Sequence, residues 1–200
     1  MTVCSLKHMV LSMARPRSND KRNAIMAAAT RVIVSHGLNA PTALIAKEAG
    51  ISNGSLFTYF ETKADLFNQL YFELKASAAA AALEGLPSGT ELREPMLHVW
   101  TNWINWSVAH PEKRFALNQF HASDVITPAT RAAAGKTMAG VAELLERSRA
   151  NGPLRDVPLG FVVSIMNSLV EATMNFMIHD PANAKKHCEV GFDALWRVLV

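Results

Sequence analysis

The chain has 200 residues, half of them apolar, and a formal net charge of +3. That length allows one large domain or two small ones with a buried core, and the composition excludes a disordered chain. No uninterrupted apolar run approaches the roughly 20 residues of a membrane span, and no apolar block with a small-residue cleavage site opens the chain, so we expect a cytoplasmic protein without membrane contact.

Charge is spread unevenly. Residues 1–75 carry nine Lys and Arg against five Asp and Glu, and residues 76–200 carry eleven against twelve. The excess gathers in "ARPRSNDKR", with Arg15, Arg17, Lys21 and Arg22, which suits either a solvated tail or a polyanion whose counterions are released on contact. Cys4 and Cys188 lie near opposite ends, form no CxxC pair, and read as unpaired thiols of a reducing compartment.

Strand signals are nearly absent and helical periodicity runs throughout. The first helix is expected from about Asp20 to His36, with Ile25, Ala28, Ala29, Val32 and Ile33 on one face and Gly37 as its cap. Shorter helices follow over about 42–49 and 53–60, and a longer one from Lys63 to about Leu83, stopped by Gly85, Pro87 and Gly89. Five more are expected over about 90–109, 112–122, 127–150, 157–179 and 182–200. The fold class is all-α, with about nine helices. A basic arm over 1–18 precedes a small helical unit over 19–67 and a larger bundle over 68–200.

Ile45, Ala46, Ala49, Ile51, Leu56 and Phe60 can line the seam of a helix-turn-helix, with Gly50 at the turn and Ser52 as a natural N-cap. Asn53, Gly54 and Ser55 are small and polar, so the N-terminus of that helix can approach another surface closely and offer free N–H groups to phosphate. Hydroxyls mixed with aromatics suit a major groove, which presents thymine methyls, base-edge donors and phosphates together.

The stretch "IAKEAGISNGSLFTYFETKADL" resembles the DNA-binding signature of the TetR family of bacterial transcriptional regulators, and "AIMAAATRVIVSHG" resembles that family's opening helix. The resemblance covers about residues 25–67; beyond it only length and helical layout are similar. It implies that Thr42, Ser52, Asn53, Ser55, Tyr59 and Lys63 contact the DNA backbone or cap helices, and that Ser55 and Phe57 face bases beside Gly54. Arg15 and Arg17 join them as arm contacts. Phe57 stands where the family usually has Tyr, Tyr59 where it often has His, and Asn53 replaces a common Lys. For Phe57 and Tyr59 the competing reading is packing against the next helix, and for Phe60 it is core.

"MLHVWTNWINWSVAH" sets Trp100, Trp103 and Trp106 at helical spacing, which alone suits a core as well as a cavity wall. The resemblance implies an inducer pocket among the middle helices, with Trp100, Trp103, Asn118, His121, Asn167 and Glu171 as candidates and no ligand identity. "PLGFVVSIMNSLVEATMNFMIH" is apolar almost all round and must be covered; with the last helix it forms a face that the resemblance pairs with a second copy in a homodimer. Such a dimer would read an inverted-repeat operator on double-stranded DNA.

No GxSxG, HExxH, phosphate-binding loop or dinucleotide fingerprint is present, so no enzyme and no cofactor is expected. His179, Asp180, His187 and Cys188 match no standard zinc spacing. The rivals to a ligand-released repressor are an architectural or cell-cycle DNA-binding protein of the same fold without an inducer, and a module that has lost DNA affinity. "MARPRSNDKR" from Met13 also resembles a family N-terminus, which makes residues 1–12 an expected extension or a misplaced start.

Overall fold

The structure is a computed structural model that describes residues 14–88, 91–121 and 123–200, with side-chain surroundings described from residue 19 onward. Among the described residues there are ten α-helices and no strand. They are α1 (Ala14–His36), α2 (Thr42–Glu48), α3 (Asn53–Leu56), α4 (Lys63–Leu83), α5 (Arg93–Ala109), α6 (Pro111–His121), α7 (Pro128–Thr137), α8 (Ala139–Arg149), α9 (Leu159–His179) and α10 (Ala184–Leu199). The chain divides into two compact units between Leu70 and Tyr71, within α4.

In the first unit, the expected face of α1 is the face that is buried: Ile25, Ala28, Ala29, Val32 and Ile33 are at most 5% exposed. The helix starts at Ala14 rather than Asp20, which Pro16 in its first turn permits because those N–H groups have no intrahelical acceptor anyway. Gly37 ends it at φ +72°, its N–H reaching Ile33 O at 2.9 Å. Helix α2 ends in a Schellman turn: Ile51 N–H donates to Ala46 O and Gly50 N–H to Lys47 O, with Gly50 at φ +69°.

Helix α3 is a single turn, not the eight residues expected. After Leu56 the chain tightens into turns in which Thr58 N–H donates to Ser55 O and Tyr59 N–H to Leu56 O. Helix α4 then begins with a reciprocal cap: Thr62 Oγ1 accepts Asp65 N–H and the Asp65 carboxylate accepts Glu61 N–H, both at 3.0 Å.

The second unit packs α5, α8, α9 and α10 around Trp100, Ile104, Leu145, Val162 and Phe192. Trp100 is 2% exposed and its indole N–H donates to Cys188 O at 3.1 Å, tying α5 to α10. Helices α9 and α10 touch at Gly191, where an added Cβ would come within 2.1 Å of Thr173 Oγ1. The helix expected over 127–150 is two helices, broken at Met138. Gly135 and Gly140 flank the break, and Thr137 Oγ1 donates back to Ala134 O at 2.7 Å, competing with the helical ladder. The loop after α8 is gathered by Arg149, 6% exposed, which donates to the carbonyls of Leu154, Arg155 and Val157 while holding Glu146 in a bidentate pair.

Candidate nucleic-acid interface and a second cleft

The surface from Ser52 to Lys63 is a polar and aromatic ledge on a fully buried footing. Leu56 and Phe60 are at most 1% exposed and anchor it, as the seam pattern predicts. Ser52 caps α3, its Oγ accepting Ser55 N–H at 3.1 Å and lying 2.8 Å from Ser55 Oγ. Asn53 and Gly54 are exposed, Phe57 is 42% exposed, and Tyr59 is half-buried. Phe57 therefore lies on the surface.

Gly54 does not need a positive φ, and a Cβ added there would meet nothing within 4 Å. Its own fold would accept alanine, so the smallness of the residue leaves room for something outside the chain. Thr42 is the first residue of α2 and half-buried, behind the extended Pro41. Lys63 opens α4 with Nζ 5.3 Å from the Phe67 ring centre, and burial pushes its amine below the ordinary lysine value. A cation at a helix N-terminus opposes the macrodipole, so Lys63 contributes little to its own helix and much to any phosphate brought to that end.

Two residues take roles that sequence reasoning missed. Thr62 is the cap of α4, and its signal was present in the spacing Thr62–Asp65. Arg22, read with the basic arm, donates to Gln69 Oε1 at 2.8 Å and lies 5.6 Å from the Phe60 ring centre. Gln69 donates onward to Asp65 Oδ1 at 2.8 Å, so α1 is hydrogen-bonded to the start of α4 through one polar chain. The side chains of Arg15 and Arg17, and all of residues 1–12, lie outside the described residues.

The second unit holds a cleft of about 490 Å³ between α4, α5, α6 and α9. Of the six ligand candidates, Trp103, Asn118, His121, Asn167 and Glu171 come together on its wall, and Trp100 does not: it belongs to the core. Trp106, which at helical spacing suited core and cavity wall alike, also lines the cleft; so do Lys75 and Arg114, which sequence reasoning missed because only the packing of α4 and α6 brings them there. Arg114 Nη1 sits 3.5 Å from Glu171 Oε2, and Asn118 Nδ2 donates to Glu171 Oε1 at 3.0 Å. Desolvation, then the charges of Lys75 and Arg131, hold His121 below the ordinary histidine value.

Elsewhere, His187 Nε2 meets Asp180 Oδ2 at 2.9 Å, and the Cys188 carbonyl is taken by Trp100. Among the described residues no group of three or more His, Cys, Asp and Glu is arranged to hold a metal.

The family model described as bacterial regulatory proteins, tetR family, matches residues 25–70. The uncharacterized HTH-type transcriptional regulator YhgD of Bacillus subtilis (strain 168) is 33% identical over 75 residues, 35% of this chain. That match spans 39% of the relative's length. A tetR family chain from Shewanella sp. PV-4 superposes with a TM-score of 0.78 at 26% identity, covering 88% of this chain and 96% of that one. A TetR family transcription regulator from Marinobacter aquaeolei VT8 superposes with a TM-score of 0.80 at 23% identity, covering 92% and 98%. Motif, local sequence match and fold agree: residues 25–70 match the tetR family's DNA-binding region, and the chain has the fold of solved tetR family regulators.

Proposed function

We propose that the protein is a cytoplasmic repressor of transcription that binds an inverted-repeat operator as a homodimer and is released by a small molecule. The observation that carries this reading is the ledge itself. Asn53 and Gly54 stand exposed at the start of α3 beside the Ser52–Ser55 cap, with Phe57 exposed next to them, on the buried footing of Leu56 and Phe60. Small polar residues, hydroxyls and an aromatic edge on one narrow surface match what a major groove offers.

The dimer reading rests on α9 and α10. Phe161, Phe176, Ile178 and Val190 are 55%, 64%, 48% and 59% exposed, on two helices whose other faces form the core. By length and composition alone α9 could cross a membrane, with only 28% of its apolar window buried. Its inner face, however, carries Glu171 and Asn167 into the cleft and Thr173 against Gly191, and a second copy of the chain covers the remainder without exposing those groups to lipid.

The cleft favours an effector-released regulator over an architectural protein, since a wall of polar side chains around about 490 Å³ is within the usual range of small-molecule sites. Among solved chains with this fold, LfrR from Mycobacterium smegmatis is in complex with proflavine and FadR from Bacillus subtilis with stearoyl-CoA, at 18% and 16% identity. An effector that binds better when the two recognition helices are wrongly spaced for successive grooves, about 34 Å apart, lowers DNA affinity by its differential affinity for that state.

Selection of bound DNA from a random pool tests the reading. The expected product is an inverted repeat, bound with steep salt dependence. Repeating the selection with Ser55→Ala and Tyr59→Phe should change affinity or preferred bases. Recovery of no enriched sequence, or of one indifferent to both substitutions, overturns the assignment.

A further inference from the structure

The charged groups of the cleft are not equally satisfied. Glu171 is held by Arg114 and Asn118, which leaves that corner electrically closed. Lys75 is different. It projects from α4 with Nζ 5.7 Å from the Trp103 ring centre, and among the described residues no carboxylate lies within ion-pair distance of it. Burial pushes its amine below the ordinary lysine value and no neighbouring anion pulls it back. The same charge acts on His121 across the cleft.

The opposite wall has a different chemistry. Ser164 Oγ donates to Gly160 O at 2.9 Å and Ser168 Oγ to Ser164 O at 3.0 Å, so the protons of these two α9 hydroxyls are spent and they offer the cleft acceptor capacity, beside the amide of Asn167. Trp103 and Trp106 supply the planar apolar surface, and the indole N–H of Trp106 already donates to Ser77 Oγ at 3.3 Å. The cleft thus has two cations against one carboxylate, a surplus located at Lys75, and aromatic faces beside it.

We propose that the effector is a small aromatic monoanion, its carboxylate on Lys75 Nζ and its ring against Trp103 and Trp106. This rests on reading the cleft as the effector site. A carboxylate there restores the solvation that Lys75 loses on burial, through a charge-assisted hydrogen bond. A neutral ring of the same shape would gain the aromatic contact alone. An ammonium would place like charges together.

Calorimetric titration of the full-length protein with three matched probes tests this: 2-naphthoate, 2-naphthamide and 2-naphthylmethylammonium. They share one ring and differ in charge. The naphthoate is expected to bind about tenfold or more tighter than the amide, and the ammonium weakest. In Lys75→Met, which keeps the stem on Trp103, the naphthoate should fall to the affinity of the amide while the amide changes little. A thermal melt of the variant verifies its fold, and the wild-type ranking decides the matter without it. Equal binding of naphthoate and amide overturns the proposal, as does preference for the ammonium, a carboxylate preference that survives Lys75→Met, or no naphthoate binding at millimolar concentration. Operator binding measured without any probe reports on the regulator reading separately, so loss of one conclusion is distinguishable from loss of the other.

Discussion

In the proposed function the ledge and the cleft would face their ligands in opposite ways. On the ledge the polar groups are already paired with one another: Ser52 with Ser55, Thr58 Oγ1 with Ser55 O, Thr62 with Asp65. In the cleft a desolvated lysine lies over an aromatic ring, with no carboxylate among the described residues in ion-pair reach. A ledge that alternates between water and DNA, as proposed, must be stable in both, so it keeps its partners at home and offers shape. A concave site that discriminates among small molecules can leave one charge unmet, because the surrounding protein offsets the cost.

The largest effect that tests this comparison separates two neighbouring phenylalanines. Phe60→Ala removes a side chain 1% exposed and should cost about 3–5 kcal/mol in chemical denaturation. Phe57→Ala removes one 42% exposed and should stay within about 0.5 kcal/mol while weakening operator binding in an anisotropy titration. Comparable stability losses at the two positions would mean that the ledge is part of the core and the contrast is false.

Gly191→Ala comes next. Its Cβ would press on Thr173 Oγ1 at 2.1 Å and Trp100 Cζ2 at 3.0 Å, so α9 and α10 must part. The expected loss is about 1–3 kcal/mol by thermal unfolding. An unchanged melting temperature would show that this seam yields easily.

Gly54→Ala should behave in the reverse sense. Nothing in the chain meets the new methyl, and alanine favours helix, so stability should hold or rise by up to about 1 kcal/mol. Operator affinity should fall nonetheless. Full affinity would remove the case for close approach at this position.

The smallest effect lies in pH. His121 is held below its ordinary value of 6.5 by desolvation and by Lys75 and Arg131, with the Tyr71 ring 6.2 Å away. As pH falls below about 6.5 the unfolded chain takes up that proton before the folded one, so stability is lost on acidification through this window. Comparing melts of wild type and His121→Gln from pH 7.5 to 5 should give the flatter profile in the variant. Parallel profiles would place His121 in free solvent.

Much of the first unit was legible because its signals are local. Gly37 and Gly50 mark φ reversals, Ser52 marks a cap, and the seam repeats at helical spacing. What escaped was the length of α3, since four residues of helix followed by tight turns give the same buried pattern at Leu56 and Phe60 as a longer helix. In the second unit the apolar helices were visible but their neighbours were not. Trp100 and Trp103 are three residues apart on one helix, yet one is core and the other cleft wall, a difference set by which helix each meets. Lys75 carries no motif, and its significance comes from what is not beside it. The break at Met138 was foreshadowed only by two glycines that a long helix could have tolerated.

The brevity of α3 has a consequence for how such a protein can change over time. One turn of helix cannot hold its own shape in water, so its aim is dictated by the caps at Ser52 and Thr62, by Leu56 and Phe60 beneath, and by the hydrogen-bonded chain from Arg22 to Asp65. The exposed side chains of Asn53 and Phe57 contribute little to that support. In the proposed function they form a replaceable nib on a fixed pen: new target sequences would become reachable by single substitutions, with no renegotiation of the scaffold that points them.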